Sequence, residues 1–396
     1  MSAMPQVDFN DRPFVVIWEN TRACDLACVH CRAAAQPRRS QFELTTEEGY
    51  KLIDEVALLQ PRVFVITGGD PLKREDTYDL IAYARERGLE PSLTPSATPL
   101  LTEGAVSRMK KRGLGRLAVS LDASRADLHD EFRRVPGSFD LTIRAIRQAA
   151  IEGIPVQVNT TVTRRTIDDL PQMVQLLSDL GIVMWSVFFL VPTGRGKKAD
   201  LITPETVEHL FGFLYETSKR VRFAIRTTEA MHYRRYMLQR MAAEKGQSLD
   251  ALRDATTGLI DASTLFLQHG VRPLGVQMQS GEVSRAPKGV NEGKGFVFIS
   301  HIGDVFPSGF LPLKAGNVKQ QSLGDIYRHS PLFTNLRDNR NLKGKCGRCE
   351  FRHICGGSRA RAWTVDGNVF ADDPLCAYEP GLPLPLPAAC GGGAEA

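Results

Sequence analysis

The chain has 396 residues, of which 42% are hydrophobic and 24% are charged. These values are ordinary for a soluble globular protein, and the length allows more than one domain. Its 50 basic and 45 acidic residues leave a net charge of +5, which is too small to indicate nucleic-acid binding. The sequence shows no secretion leader and no apolar run of membrane-spanning length. We therefore expect a cytoplasmic protein that binds neither nucleic acid nor a membrane.

Short apolar runs alternate with helical patterns from residue 14 to residue 220. The predicted strands are residues 14–18, 63–67, 91–95, 116–122, 155–162 and 184–191. The predicted helices are residues 45–59, 74–88, 102–113, 138–153, 168–181 and 203–220. The predicted N-caps are Thr45, Thr102, Ser138 and Thr203, and the predicted helix ends are marked by Gly88, Gly113, Gly153 and Gly181.

Apolar strands that are each followed by a helix predict a parallel sheet covered by helices. Six strand–helix units are fewer than the eight that close a complete barrel. We therefore predict an α/β fold in which residues 1–220 form a partial (β/α)6 TIM-like barrel, with a doubly wound open sheet as the alternative. Residues 221–295 are expected to be a helical and loop bridging region, residues 296–380 a C-terminal extension that starts with a hairpin near Gly303, and residues 381–396 a flexible tail.

Three of the eight cysteines, Cys24, Cys28 and Cys31, lie together just after the first predicted strand. In the cytoplasm, clustered cysteines are more often metal ligands than disulfide partners. This loop would lie at the C-terminal mouth of the barrel, where such folds carry their chemistry. Iron–sulfur clusters take one thiolate per iron, so three cysteines would leave one iron of a four-iron cluster open to another ligand. A zinc site completed by a distant ligand such as His30 is the alternative.

A second group of cysteines lies near the C-terminus, within residues 345–380. Its members are Cys346, Cys349, Cys355 and Cys376. Four thiolates close either an iron–sulfur cluster or a zinc site, and the spacing alone does not choose between the two metals. The remaining cysteine, Cys390, lies alone in the tail, and no role is predicted for it.

The C-x3-C-x2-C loop after a first strand resembles that of the radical SAM superfamily, and the resemblance extends over most of the chain. It implies that the first three cysteines ligate a [4Fe-4S] cluster whose open iron binds S-adenosylmethionine (SAM). It further implies an enzyme that takes an electron from an external flavodoxin- or ferredoxin-like reductant. That electron reductively cleaves SAM to a 5′-deoxyadenosyl radical, which abstracts hydrogen from a substrate.

The resemblance also implies a SAM pocket. The segment TGGDPL (67–72) is similar to the family's GGEP, with Asp70 in place of the usual glutamate. HDEFRR (129–134) is similar to the family's HDxxR pattern, which places an arginine suited to a carboxylate at Arg133. Taken alone, Ser120 or Asn159 is equally an ordinary polar residue of a barrel interior. The SAM-binding residues implied by the resemblance are Gly68, Gly69, Asp70, Ser120, Arg133, Asn159 and Leu190.

The C-terminal cysteines resemble the SPASM extension of radical SAM enzymes, whose full form has seven cysteines and two auxiliary clusters. Here Ser308 and Arg359 stand where two of those cysteines are expected, and a third expected cysteine is missing. The four that remain are the implied ligands of one complete auxiliary [4Fe-4S] cluster, which makes two clusters in all.

A single auxiliary cluster is similar to the tetrapyrrole-modifying branch of the family. That likeness implies oxidative decarboxylation of a porphyrin propionate in haem biosynthesis, with the second cluster taking the surplus electron. The candidates for binding such an acidic substrate are His232, Tyr233, Arg234 and Arg235. An amphipathic helix that presents these side chains to water is the alternative. Two other functions stay open: a SPASM maturase that modifies a ribosomally made peptide, and a non-catalytic iron–sulfur electron carrier. Because some 13 residues precede the first strand, we expect no peptide-docking domain at that end, though it could be a separate protein.

Overall fold

A ten-stranded sheet forms the centre of the protein in a computed structural model, which describes residues 8–246 and 289–381. The strands are β1 Val15–Glu19, β2 Val63–Thr67, β3 Pro91–Leu93, β4 Arg116–Ser120, β5 Val156–Val162, β6 Met184–Phe189, β7 Ala224–Thr228, β8 Phe296–Ile299, β9 Asp304–Phe306 and β10 Gly316–Asn317. The α-helices are α1 Thr46–Leu59, α2 Thr77–Glu86, α3 Glu103–Lys111, α4 Ala126–Arg133, α5 Ser138–Ile151, α6 Leu170–Asp179, α7 Pro204–Ser218, α8 Tyr233–Lys245, α9 Leu323–His329, α10 Pro331–Arg337, α11 Gly344–Arg348 and α12 Arg359–Asp366.

The strands lie in the order β10-β9-β8-β1-β2-β3-β4-β5-β6-β7. Strands β1 to β7 run parallel, β8 pairs in parallel with β1, and β9 and β10 are antiparallel. The predicted α/β class with a parallel, incompletely closed barrel and a C-terminal extension is confirmed. The six predicted strands are β1 to β6, and the sheet is wider than predicted. Strand β7 adds an edge that the sequence did not reveal, because its residues AIRTT show no apolar run.

Helix boundaries follow the predicted signals with one exception. Thr45, Thr102 and Thr203 each accept a hydrogen bond from the first turn of their helix, and the four predicted end glycines have positive φ. The N-cap prediction at Ser138 is wrong, because Gly137 holds the cap position and Ser138 is the first helical residue. The side chain of Asp130, from the unpredicted helix α4, accepts the N–H of Phe139 at 2.8 Å and so caps α5 instead.

The two faces of the sheet have different surroundings. Along β5, Val156, Val158, Thr160 and Val162 are buried against the helices, whereas Gln157, Asn159 and Thr161 are only half-buried on the inner face. The inner face therefore lines a lumen, and at the C-terminal ends of the strands this lumen is polar. Across that face Ser120 pairs with Asn159, and Asn159 with Ser186.

One buried arginine makes several of the bonds between the C-terminal extension and the barrel. The Nη1 of Arg361 on α12 donates to the two carboxylate oxygens of Asp373 at 2.8 and 3.0 Å. Its Nε donates to the carbonyl of Leu190 at 3.3 Å, just after β6, and its Nη2 donates to the carbonyl of Glu229 after β7. The part of the predicted bridging region from residue 247 to 288, and the tail from residue 382 with Cys390, lie outside the described residues.

Candidate functional site

The first cysteine group lies in the loop after β1, and the loop after β2 holds it in place. The N–H of Gly69 donates to the carbonyl of Thr21 at 2.8 Å, and the N–H of Asp70 donates to that of Ala23 at 2.6 Å. A Cβ at Gly69 would lie 2.5 Å from the Ala23 carbonyl oxygen, closer than non-bonded atoms approach. Glycine is therefore required here because the two loops touch, and its contact is with protein backbone.

The three thiols are close neighbours with distinct partners. Cys24 Sγ lies 3.3 Å from Ser96 Oγ, Cys28 Sγ lies 3.5 Å from Nη1 of Arg133, and Cys31 Sγ accepts from the N–H of Ala35 at 3.5 Å. Burial raises the pKa of Cys24 to about 11, with the Ser96 hydrogen bond acting in the opposite direction. Iron binding must therefore displace protons from these thiols, as expected for thiolate ligands.

A buried ion pair lies directly behind Cys28. Nε of Arg133 donates to Oδ2 of Asp122 at 2.6 Å, and Oδ1 of Asp122 accepts from the N–H of Thr161 at 2.8 Å. Burial alone would raise the pKa of Asp122, but Arg133 holds it below its usual range, so the carboxylate is ionised. Asp122 fixes the guanidinium at the edge of the cysteine loop, and the sequence analysis did not single out this residue.

The carboxylate of Asp70 forms hydrogen bonds within the protein. It is fully buried, its Oδ2 accepts from Thr98 Oγ1 at 2.7 Å, and its Oδ1 accepts from the N–H of Leu72 at 3.1 Å. Burial raises its pKa to about 6, against the effect of the Thr98 hydrogen bond. In this structure Asp70 therefore shapes the turn after β2, and a direct contact with SAM stays a prediction.

The remaining predicted SAM residues lie along the same edge of the sheet. Ser120 ends β4 and is aligned with Asn159 in β5, whose side-chain oxygen accepts from Gln157 at 2.8 Å. Leu190 directly follows β6, and its carbonyl is bonded to Arg361. The register thus brings Ser120 and Asn159 together, while the backbone of Leu190 faces the C-terminal extension.

A clamp on the cysteine loop was missed by sequence reasoning. Nε of Arg195 donates to the carbonyl of Cys28 at 2.9 Å, and the N–H of Arg195 donates to that of Cys31 at 3.0 Å. The preceding Gly194 has φ +60°, and a Cβ there would collide with the carbonyls of Cys31 and Arg32. The tripeptide GRG (194–196) can be read from the sequence, but no local pattern relates it to the cysteine loop, which lies more than 160 positions earlier.

Glu19, Arg32 and His301 form a second buried cluster at the mouth, also unpredicted. Glu19 ends β1, and its Oε2 lies 2.9 Å from Nη2 of Arg32. Its Oε1 lies 3.2 Å from Nδ1 of His301, which follows β8. Burial alone would raise the pKa of Glu19, but Arg32 and His301 hold it below its ordinary range.

The second cysteine group lines one cavity, and positive charges surround it. The four sulfur-bearing residues share this cavity with Lys345, Arg352 and His232. Nη2 of Arg359 lies 3.7 Å from Cys346 Sγ. Burial raises the pKa of Cys349 to about 11 and that of Cys376 to about 12, while Arg235 acts to lower the latter. Arg359 thus stands beside the group in place of an expected cysteine. Ser308, the other such position, bonds Glu229 Oε1 at 3.4 Å.

Three of the four candidate substrate residues, His232, Arg234 and Arg235, lie near the second cysteine group. Arg234 donates to the carbonyls of Ile354 at 2.9 Å and Val290 at 2.8 Å. Arg235 is ion-paired with Glu208. Tyr233 is buried among aromatic rings, with its ring centre 5.1 Å from that of Phe211. These commitments do not support the predicted substrate pocket.

His232 differs from Arg234 and Arg235 in its hydrogen bonding. It lines the cavity with only 1% of its surface exposed, and neither ring nitrogen has a hydrogen-bond partner within residues 8–246 and 289–381. Burial lowers its pKa to about 3, although Asp373 acts in the opposite direction.

The two donor sets fit iron–sulfur clusters. Each consists of thiols with cationic groups beside them, which suits a cluster that carries negative charge. In the described ranges no three His, Cys, Asp or Glu side chains converge as ligands of a single ion. A four-iron cluster takes its thiolates at separate iron corners, so sulfur donors that do not meet at one point remain suited to it. None of the described helices is long and apolar enough to cross a membrane.

Comparison with known proteins identifies the family. The model of the radical SAM superfamily matches residues 18–177, and a relative from Methanosarcina barkeri named AdoMet-dependent heme synthase is 36% identical over 375 residues. That match covers 95% of this chain and 99% of the relative. The chain belongs to the radical SAM superfamily. The model of the SPASM iron–sulfur cluster-binding domain matches residues 291–350 of this radical SAM protein.

Two further proteins are similar to this radical SAM enzyme. A relative from Nitratidesulfovibrio vulgaris, also named AdoMet-dependent heme synthase, is 38% identical and covers 92% of each chain. The crystal structure of SuiB from Streptococcus suis bound to S-adenosylmethionine superposes with a TM-score of 0.66 at 17% identity. It covers 93% of this chain and 78% of SuiB, and it shows the shared fold. The predicted enzyme class and cofactors are confirmed: the protein uses a [4Fe-4S] cluster and SAM, its SPASM domain binds a further iron–sulfur cluster, and its reaction needs an external reductant and a substrate.

Proposed function

We propose that this enzyme makes haem by oxidative decarboxylation of porphyrin propionates. The observation that carries the proposal is the match to an AdoMet-dependent heme synthase at 36% identity over 95% of this chain, which includes both cysteine groups. Haem has two vinyl groups where coproporphyrin III has propionates. Decarboxylation adds no metal, so a substrate that becomes haem already contains iron. The substrate is therefore an iron coproporphyrin, which is acidic.

The chemistry balances with one hydrogen atom and one electron removed for each propionate. When bound, SAM and the reduced cluster supply the 5′-deoxyadenosyl radical that takes the hydrogen atom from the propionate β-carbon. The resulting –CH•–CH2–COO⁻ becomes –CH=CH2 with loss of carbon dioxide and one electron. The second cysteine group is where this chain would hold a group able to accept that electron.

The chain's own residues have separate tasks in this proposal. Cys24, Cys28 and Cys31 hold the cluster that binds SAM. Arg133, oriented by the ionised Asp122, lies beside Cys28, and its Nη1 would bind the SAM carboxylate. The half-buried polar face of Ser120 and Asn159 would contact the rest of SAM. Gly69 bonds the loop that carries the cysteines, and Gly68 lies against the same loop.

At the second site, Cys346, Cys349, Cys355 and Cys376 are the proposed ligands of the auxiliary cluster. Arg234, Arg235 and Arg359 then supply positive charge to a buried, negatively charged group, which stabilises it in a medium of low polarity. This gives the arginines a purpose that does not involve the substrate. The reductant would be a flavodoxin- or ferredoxin-like protein.

The test uses protein reconstituted with iron and sulfide without air, together with SAM, a flavodoxin system and iron coproporphyrin III. We expect haem and 5′-deoxyadenosine in a ratio of one to two, because two propionates react. The triple variant Cys24→Ala, Cys28→Ala, Cys31→Ala should keep the iron of the second site and form neither product.

Three outcomes would change the proposal. SAM cleavage without haem, in protein with both clusters intact, would remove the porphyrin substrate and favour a peptide. No SAM cleavage at all in such protein would remove the assignment of the first cysteine group. Zinc in place of iron in the triple variant would make the second group a structural site.

A further inference from the structure

His301 and Glu19 form a carboxylate–histidine pair at the mouth of the barrel. Glu19 is the last residue of β1, and His301 follows β8, the strand paired in parallel with β1. Because parallel strands end at the same edge, the two side chains meet there, with Nδ1 of His301 3.2 Å from Oε1 of Glu19. The pair is 282 residues apart in sequence and is created only by the fold.

The surroundings decide which nitrogen of His301 carries the proton. Glu19 is buried and stays ionised because Arg32 lies 2.9 Å from its other oxygen. An ionised carboxylate only accepts hydrogen bonds, so His301 donates to Glu19 through Nδ1, and Nε2 is the nitrogen left for another partner. Within the described part of the chain Nε2 has no hydrogen-bond partner, and a tenth of the side chain remains exposed.

This arrangement is that of a histidine prepared to bind a metal. Metal-binding histidines usually donate their other N–H to a carboxylate, which fixes the ring and makes the free nitrogen a better donor. A free ion would need further protein ligands, but no three suitable side chains converge anywhere in the described residues. An iron porphyrin differs, because the four ring nitrogens already bind its iron and the protein need supply only an axial ligand.

The pair also lies next to the chemistry. Arg32 directly follows the ligand Cys31, and its guanidinium stacks over the ring of Phe298 in β8 at 4.4 Å. Arg32 therefore connects the first cysteine loop to the end of β1 through Glu19 and, through Phe298, to β8, the strand that precedes His301.

We propose that Nε2 of His301 is an axial ligand of the iron in the porphyrin substrate, with Glu19 as its positioning residue. The inference rests on the proposed function. A bond to the central iron holds the macrocycle at one depth in the lumen while leaving its edge, where the propionates are, free to meet the site of hydrogen abstraction. It also selects iron-containing over iron-free porphyrin.

The experiment compares iron coproporphyrin III with metal-free coproporphyrin III as probes. Both are titrated, without air, into the reconstituted wild type, His301→Ala and the control His209→Ala, whose side chain is on the exposed face of α7. Absorption in the Soret region and electron paramagnetic resonance report the iron ligation. For His301→Ala we expect about tenfold or weaker binding of the iron porphyrin, loss of the histidine-ligated spectrum, its restoration by added imidazole, and unchanged binding of the metal-free ring.

The outcomes separate the inference from the function it rests on. Equal weakening for both probes, or an unchanged ligation spectrum in His301→Ala, would overturn the axial-ligand assignment while a wild type that makes haem keeps the proposed function. A wild type that binds neither probe and makes no haem would overturn both. Unchanged iron content in His301→Ala shows that the variant has folded around its clusters.

Discussion

Nη1 of Arg133 lies 3.5 Å from the sulfur of Cys28, with the rest of its guanidinium held by Asp122. Arg133 is thus at the edge of the loop where SAM would bind, in one fixed orientation. This position is the geometric basis for expecting Arg133 to bind the SAM carboxylate.

Replacing Arg133 by lysine should weaken SAM binding without removing the cluster. Lysine keeps the positive charge but lacks the planar guanidinium that can bond Asp122 and the SAM carboxylate at the same time. Charge-assisted hydrogen bonds contribute about 1.5–3 kcal/mol each. We expect affinity for SAM to fall roughly 10- to 100-fold, measured by anaerobic calorimetry, with iron content unchanged. Arg125→Ala, at an exposed position, is the control. Wild-type affinity in the lysine variant would assign the SAM carboxylate to another group.

Gly69→Ala should disturb the first cluster selectively. The added Cβ would lie 2.5 Å from the carbonyl oxygen of Ala23 and 2.7 Å from that of Arg22, so the cysteine loop must move. We expect loss of most of the iron of the first site and of SAM cleavage. In Gly104→Ala the added atom comes no nearer than 3.8 Å to its neighbours, and the helix should gain about 0.5–1 kcal/mol. Full iron loading of Gly69→Ala would mean that the contact is not needed.

Glu229 should make stability fall as the pH rises. Burial and the neighbouring carboxylate of Glu292 raise its pKa well above 4.5, with Ser358 and the cation of Arg361 acting against them. A raised pKa means that the folded state keeps a proton that the unfolded chain loses, so the free energy of unfolding decreases from the ordinary Glu range up through the folded pKa. Glu229→Gln removes this dependence. It should match the wild type in acid and exceed it as the pH rises.

The measurement is the melting temperature of apo-protein and loaded protein from about pH 5 to about pH 9. Glu131→Gln, at an exposed carboxylate, should follow the wild type throughout. A Glu229→Gln curve parallel to that of the wild type would show that Glu229 is ionised in the fold.

Removing Arg361 should loosen the contact of α12 with the barrel and lower the stability of the protein. Its side chain is fully buried, and Arg361→Ala would leave Asp373 as an unpaired buried charge and two carbonyls without donors. Breaking one partner of a buried pair costs about 3–5 kcal/mol. Lys198→Ala, which removes an exposed bond to the carbonyl of Val365 on the same helix, should cost less than about 1 kcal/mol. Equal urea midpoints for the two variants would contradict the central role of Arg361.

The local parts of this protein could be predicted from its sequence. The strands at residues 63–67 and 156–162 and the helix at 46–59 are determined by apolar periodicity and by capping residues a few positions away, such as Thr45. The cysteine groups were visible for the same reason, since their members are close in sequence.

Contacts between distant residues could not be predicted in this way. Asp130 replaces Ser138 as the cap of α5 because helix α4 folds back onto it, and β7 is a strand because a neighbour supplies its hydrogen bonds. Arg234 and Arg235 seemed free to meet a substrate, yet each is occupied by partners from elsewhere in the chain. The sequence around a charged side chain does not show which distant residues will bind it.

By itself the sequence determined the order of strands and helices and the two sets of thiols, because those depend on neighbours along the chain. Only the tertiary structure decided which charge stands behind Cys28 and which carboxylate orients His301. Those pairings arise because a parallel sheet brings the ends of separate strands to one edge. A charge that is buried there without a partner would raise the free energy of the folded state. The chemistry of the mouth is therefore a property of the folded protein.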